Sequence, residues 1–172
     1  MKKIVLLLIG VIVITNGIWS YVYIEEKDST SKINTEVQIY TLNGTGDLWD
    51  VENYSIIISG TVIFRGSGEL VYKGETQNLE NSTYYKYEFK ELSTDNINAT
   101  VYVNEAVSEN GRVSILQNLN IGSITGGYSY DELKKNKQNY ESTTVTITWN
   151  DNEGQMHTET VNLDIDREIT LD

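Results

Sequence analysis

The sequence has no cysteine and no proline, and it has only two alanines, Ala99 and Ala106. Without cysteine there is no disulfide, no thiolate nucleophile, no Cys-bearing zinc site and no lipid-modified cysteine. The fold must therefore hold by packing alone, and 172 residues are enough for that. Scarce alanine, the strongest helix former, argues against a helical domain. Basic residues are also few: 13 lysines and arginines face 25 acidic residues, a net charge of −12. Such a surface excludes nucleic acid, whose phosphates require cationic side chains. It also disfavours adhesion to an anionic lipid surface. It suits solubility, cations and basic partners.

Tyrosine, valine, isoleucine and threonine are plentiful, and these residues fit pleated, half-buried surfaces. Frequent asparagine suits many short turns. The expected fold class is all-β, an antiparallel sandwich of about seven strands, immunoglobulin-like in its arrangement though without the Cys-Trp-Cys signature. It would follow one N-terminal transmembrane helix.

That helix is read from the start of the chain. Lys2 and Lys3 precede an uncharged run from Ile4 to Ile24, followed by Glu25 and Glu26. As a helix the run spans about 31 Å, the thickness of a bilayer core. Trp19, Tyr21 and Tyr23 stand at its far end, where interfacial aromatics belong. The two lysines place the N-terminus in the cytoplasm and the rest of the chain outside. The shorter apolar run Ile4 to Ile14 has the length of a cleaved signal peptide. No alanine precedes Ala99 to form a cleavage site, so an uncleaved anchor is favoured. Residues 1–24 are thus an anchor or uncleaved signal, residues 25–42 a stalk with a possible edge strand, and residues 43–172 the β-sandwich domain.

Within the domain, Trp49 and Val51 share one strand parity, and Tyr54, Ile56 and Ile58 share the other. All five suit a core, so one extra residue must intervene at Glu52-Asn53, either as a β-bulge or as a corner between sheets. Val62 and Phe64 continue the even parity, and "RGSG" (Arg65 to Gly68) reads as a turn. Further on, the expected inward sets are Leu70 and Tyr72; Tyr85, Tyr87 and Phe89; Ile97, Ala99, Val101 and Val103; Val145, Ile147 and Trp149; and Val161, Leu163 and Ile165. In the edge strand, Val37 and Ile39 alternate with Glu36, Gln38 and Tyr40. "NDNEG" is a hairpin loop. "DELKKNKQNY" predicts a single helical turn or a loop, with Asp131 as a cap and Leu133 and Tyr140 to bury.

The stretches "GTGDLWDVENY", "GSGELVYKG" and "TVTITWNDNEGQ" resemble small membrane-anchored or lipid-anchored extracytoplasmic proteins of low-GC Gram-positive bacteria. That group has no assigned activity. The likeness covers roughly Gly44 to Asp164 and implies a cell-envelope location and an all-β fold. It assigns no catalytic or binding residue.

Candidate chemistry is sparse. His157 is the one histidine and follows the hairpin loop; no nucleophile elbow accompanies it. Paired carboxylates of a wall hydrolase would need a cleft. Oxygen ligands for calcium cluster at Asp47, Asp50 and Glu52, at Asp151, Asn152 and Glu153, and at Asp164, Asp166 and Glu168, without EF-hand spacing. Tyr84, Tyr102, Tyr128 and Tyr130 read as outward-facing tyrosines able to meet sugars or proteins. Lys134, Lys135 and Lys137 read as a solvated basic loop. Asn43, Asn53, Asn81 and Asn98 match a glycosylation pattern that a bacterial chain would leave bare. The expectation is a non-catalytic extracytoplasmic binding or structural module, with no cofactor, no catalytic residue and no metal site assigned. Its partners would be the membrane through the N-terminal helix and an envelope protein or wall glycan. The alternatives are a calcium-responsive sensor domain and a carboxylate-dependent hydrolase.

Overall fold

The computed structural model describes residues 14–20, 36–109, 111–127, 129 and 131–171. Two compact units divide the chain, Met1–Asn34 and Thr35–Asp172. In the first, residues 14–20 are helical. Most of the expected membrane span, and the stalk at residues 25–35, lie outside the described residues. Among the described residues no helix is long and apolar enough to cross a membrane.

The second unit is a sandwich of two antiparallel sheets, one of six strands and one of four. The larger sheet contains β1 (Val37–Thr45), β2 (Trp49–Ser59), β3 (Val62–Gly66), β4 (Glu69–Tyr72), β7 (Ser123–Gly127) and β10 (Asp164–Leu171). Its order is β10-β1-β2-β3-β7, with β4 also on β2. The smaller sheet contains β5 (Tyr84–Leu92), β6 (Asn98–Val107), β8 (Thr144–Asn150) and β9 (Met156–Asn162), in the order β6-β5-β8-β9. Among the described residues the strand count is therefore ten rather than about seven. The order is not immunoglobulin-like either: a meander of three consecutive strands is flanked by the last strand of the chain. Nor is β1 an edge strand, since it lies between β2 and β10.

The offset in β2 is a bulge. Leu42 pairs with Tyr54 and Gly44 with Val51, so three steps on β2 match two on β1. Asn53 takes the left-handed conformation (φ 57°), and its N–H donates to Asn43 Oδ1 at 2.7 Å. Trp49, Val51, Tyr54 and Ile56 are consequently all fully buried. The bulge also divides the neighbouring strand. β3 pairs with β2 beyond the bulge and β4 pairs before it, so the chain runs on through Ser67-Gly68 without reversing. "RGSG" is thus a kink in one interrupted strand, not a turn. Gly68 packs against the backbone of Glu52 and Tyr54, where a Cβ would be crowded.

Four parity expectations change for reasons of register. The two-residue turn Gly60-Thr61 pairs Ile58 with Ile63 and Ile56 with Arg65. Residues directly opposite share a face, so Ile63 and Arg65 point inward and Val62 is exposed. In β6, Ala106, Asn104 and Tyr102 pair with the inward Tyr85, Tyr87 and Phe89, and a bulge at Val101 follows. Ile97 and Val103 are exposed instead. In β1 the inward residues are Tyr40 and Leu42 rather than Val37 and Ile39, as their pairing with Ile56 and Tyr54 requires. Finally, "HTETVNLDI" is not one strand: the chain leaves the smaller sheet after Asn162 and joins the larger one at Asp164, with Leu163 buried at the crossing.

The "DELKKNKQNY" segment forms a 3₁₀ turn, Glu132–Lys134, and a short helix, Lys137–Glu141. Asn136, not Asp131, caps the helix through a reciprocal pair with Asn139. Tyr140 is buried and stacks on Tyr40 at 5.4 Å, whereas Leu133 is exposed.

Candidate functional site

Three elements converge at the end of the sandwich opposite Val37. They are the start of β2, the end of β4 with the turn Thr76–Leu79, and the β8–β9 hairpin. Between them lies a cleft of about 540 Å³, lined by Leu48, Tyr72, Glu75, Asn78, Trp149, Asp151, Glu153 and His157 among others. Strand register builds its wall. Trp49 pairs with Tyr72 in one sheet, and Trp149 pairs with His157 in the other. The Trp49 ring meets Tyr72 at 4.7 Å and Trp149 at 5.6 Å, joining the two sheets through aromatic contact. His157 lies over Trp149 at 5.5 Å, with its ring tilted 20°.

The hairpin forming one side of the cleft is firmly held. Asp151 Oδ1 accepts the N–H groups of Glu153 and Gln155, each at 2.9 Å. Its Oδ2 lies 2.8 Å from His157 Nε2. The hydrogen bond with His157, helped by those backbone donors, keeps the Asp151 carboxyl below the usual range. Asn152 anchors the loop tip to the Thr76–Leu79 turn and its neighbours: its Oδ1 accepts Asn81 N–H at 2.6 Å, and its Nδ2 donates to the Gln77 carbonyl at 2.5 Å. Below it, Asn150 Oδ1 accepts the N–H groups of Thr83 and Tyr84, each at 2.9 Å.

These contacts also occupy several members of the carboxylate clusters. Asp151 spends its side chain on its own hairpin, and Asn152 spends its on Gln77 and Asn81. Asp50 is paired with Lys73 at 2.8 Å, and the same Nζ donates to the Gly46 carbonyl, so a lysine stands where a cation would. Glu168 is paired with Lys137 at 2.8 Å. Among the described residues no three histidine or acidic side chains come together in a way that could hold a metal ion. His157 has no serine or threonine hydroxyl hydrogen-bonded to it among the described residues; its ring nitrogen is turned to Asp151.

A second polar constellation lies inside the sandwich. Arg65 on β3 donates from Nε to Glu91 Oε1 at 2.5 Å and from Nη2 to Glu91 Oε2 at 2.8 Å. The same Nη2 reaches Glu132 Oε1 at 2.9 Å. Lys135 Nζ donates to Glu91 Oε2 at 2.7 Å and to Glu132 Oε1 at 3.2 Å. The Glu91 side chain is fully buried. Burial alone would push its carboxyl up, but the hydrogen bonds and charge of Arg65, with Lys135, hold it below the ordinary range. Two cations and two anions balance, which makes such burial tolerable. Nearby, burial first and the Glu91 charge second raise the Tyr54 hydroxyl well above the ordinary phenol range.

Several of the sequence-derived candidates take different roles here. Tyr102 is not outward-facing; its hydroxyl donates to the Ile121 carbonyl at 2.5 Å. Tyr84 lies on the outer face, hydrogen-bonded to Glu105 at 3.0 Å. Tyr128 and Tyr130 lie outside the described residues. Lys135 is no solvated loop residue but part of the interior network, while Lys137 is exposed. Glu91 was missed although its signal was present: it continues the inward parity of Tyr85, Tyr87 and Phe89. Arg65 could be placed inside only by knowing the length of the preceding turn. Trp149 and His157 could be paired only from the length of the hairpin loop.

No family model, curated protein or solved structure matches this chain.

Proposed function

We propose that the chain is a non-catalytic binding module, tethered to the membrane by its N-terminal segment, with its sandwich outside the cell. The observation that carries this reading is the cleft itself, at the end of the sandwich opposite Val37, walled by Leu48, Tyr72 and Trp149 with Asp151 and His157 on its hairpin side. Lys2 and Lys3 before an apolar run support the orientation, and the resemblance to anchored Gram-positive envelope proteins supports the compartment.

The cleft fits a binding role better than a catalytic one. Its histidine is held against Asp151 and Trp149, and its aspartate is occupied by its own hairpin. Aromatic walls with a few polar groups are the usual make-up of a recognition site. The test is affinity capture from envelope extracts with the tagged full chain, alongside Leu48→Arg. Leu48 is 38% exposed on the cleft rim, so this change blocks the groove without opening the core. A partner retained by the wild type and lost with Leu48→Arg is the expected result. The same set of proteins or glycans on both chains, or nothing on either, overturns the proposal.

A further inference from the structure

The cleft's lining distinguishes among ligand classes. Its largest ring is already occupied: Trp149 is only 2% exposed, covered by His157 and abutted by Trp49, and half-buried Tyr72 is tilted against Trp49. A sugar ring needs an open aromatic face to stack on, and Trp149 does not offer one. What remains is a narrow apolar wall of Leu48 and Tyr72 beneath a carboxylate rim. Glu75 and Glu153 are both exposed on that rim. Neither takes part in an ion pair among the described residues. Among the described residues no lysine or arginine lines the cleft. An anion would meet two unneutralised carboxylates and no cation. A long aliphatic stem ending in a positive charge would lie along the apolar wall and reach the rim.

From this lining, together with the chain's net charge of −12, we infer that the cleft receives a lysine or arginine side chain from a basic segment of a protein partner. The inference deepens the binding-module reading and rests on it. Leu48 and Tyr72 hold the stem, and Glu75 and Glu153 meet the charged end.

The test is calorimetric titration of the full chain in lipid nanodiscs with a short lysine peptide, its Nζ-acetylated counterpart, and solubilised wall glycan. Three proteins are compared: wild type, Glu75→Gln/Glu153→Gln, and Asp95→Asn/Asp166→Asn. The last pair removes the same charge from exposed positions that do not line the cleft. The lysine peptide is expected to bind the wild type. Acetylation, and the cleft double substitution, should each weaken binding about fivefold, the worth of two exposed ion pairs. The remote pair should change it by less than about twofold. Equal binding of the acetylated peptide, equal loss from the remote pair, or binding of glycan in place of peptide overturns the inference. If no peptide binds while affinity capture still yields a partner lost with Leu48→Arg, the ligand class falls and the binding module stands. If capture also shows no dependence on the cleft, both fall.

Discussion

Arg65 and Glu91 face each other across the space between the sheets, Nε to Oε1 at 2.5 Å and Nη2 to Oε2 at 2.8 Å. Both are buried, and Glu132 and Lys135 complete the charge balance. Removing one partner leaves an uncompensated buried charge, which typically costs 3–5 kcal/mol, whereas an apolar replacement of the pair is often neutral. Glu91→Gln should therefore destabilise the sandwich by about 3–5 kcal/mol in urea denaturation. The double change Arg65→Met/Glu91→Leu leaves Lys135 and Glu132 to pair with each other and should recover most of that loss. If the double variant is as unstable as Glu91→Gln alone, charge imbalance is not the cause.

The same network predicts an acid limit. The Glu91 carboxyl is held below its ordinary range in the folded state. A depressed carboxyl stabilises the fold fully above its unfolded value, about pH 4.3, and less as pH falls through the folded value. The melting temperature should accordingly drop as pH falls below about 4. Arg65→Met/Glu91→Leu, which no longer has this carboxyl, should show a shallower fall over the same window. Parallel curves for the two proteins would assign the acid sensitivity elsewhere.

How much of this was legible in the sequence depends on what sets each feature. The β class and the bulge at Glu52-Asn53 could be read because apolar parity is a local signal, and two parities in one strand demand an extra residue. Tyr85, Tyr87, Phe89, Val145, Ile147 and Trp149 fell inward as expected for the same reason. Sheet order could not be read, because nothing local marks Leu163 as a crossing between sheets. Inward polar residues were misplaced because an isolated strand shows Arg65 or Tyr102 as hydrophilic; only the facing strand reveals what satisfies them. The cleft was illegible for a related reason. It is assembled from residues some hundred positions apart, from Leu48 to His157, and register alone brings them together.

The bulge makes its own prediction. Asn53 sits at φ 57°, a region that costs an ordinary L-residue about 1–2 kcal/mol and that asparagine and glycine tolerate. Asn53→Val should cost roughly that amount, about 1–2 kcal/mol, by thermal or urea unfolding. Asn53→Gly should stay within about 0.5 kcal/mol of wild type. Equal effects from the two substitutions would mean that the side chain, not the backbone conformation, matters at this position.

The crossing between sheets supplies the last prediction. Gly44 on β1 lies where the chain passes from β9 to β10. A Cβ there would come within 2.5 Å of the Asn162 carbonyl oxygen, within 2.8 Å of Val161 Cγ1, and against Leu163 Cδ2. The carbonyl belongs to the backbone of the crossing and cannot rotate aside, and Leu163 is fully buried. Overpacking of this kind typically costs 1–3 kcal/mol, so Gly44→Ala should lower stability by about that much. Gly126 on β7 is a matched control in the same sheet, since a Cβ there meets nothing within 4 Å. Gly126→Ala should change stability by less than about 0.5 kcal/mol. Because Gly44 presses on the crossing and not on the cleft, Gly44→Ala should also leave cleft binding intact at temperatures below its melting point. Loss of binding with the fold preserved would mean that the crossing and the cleft move together.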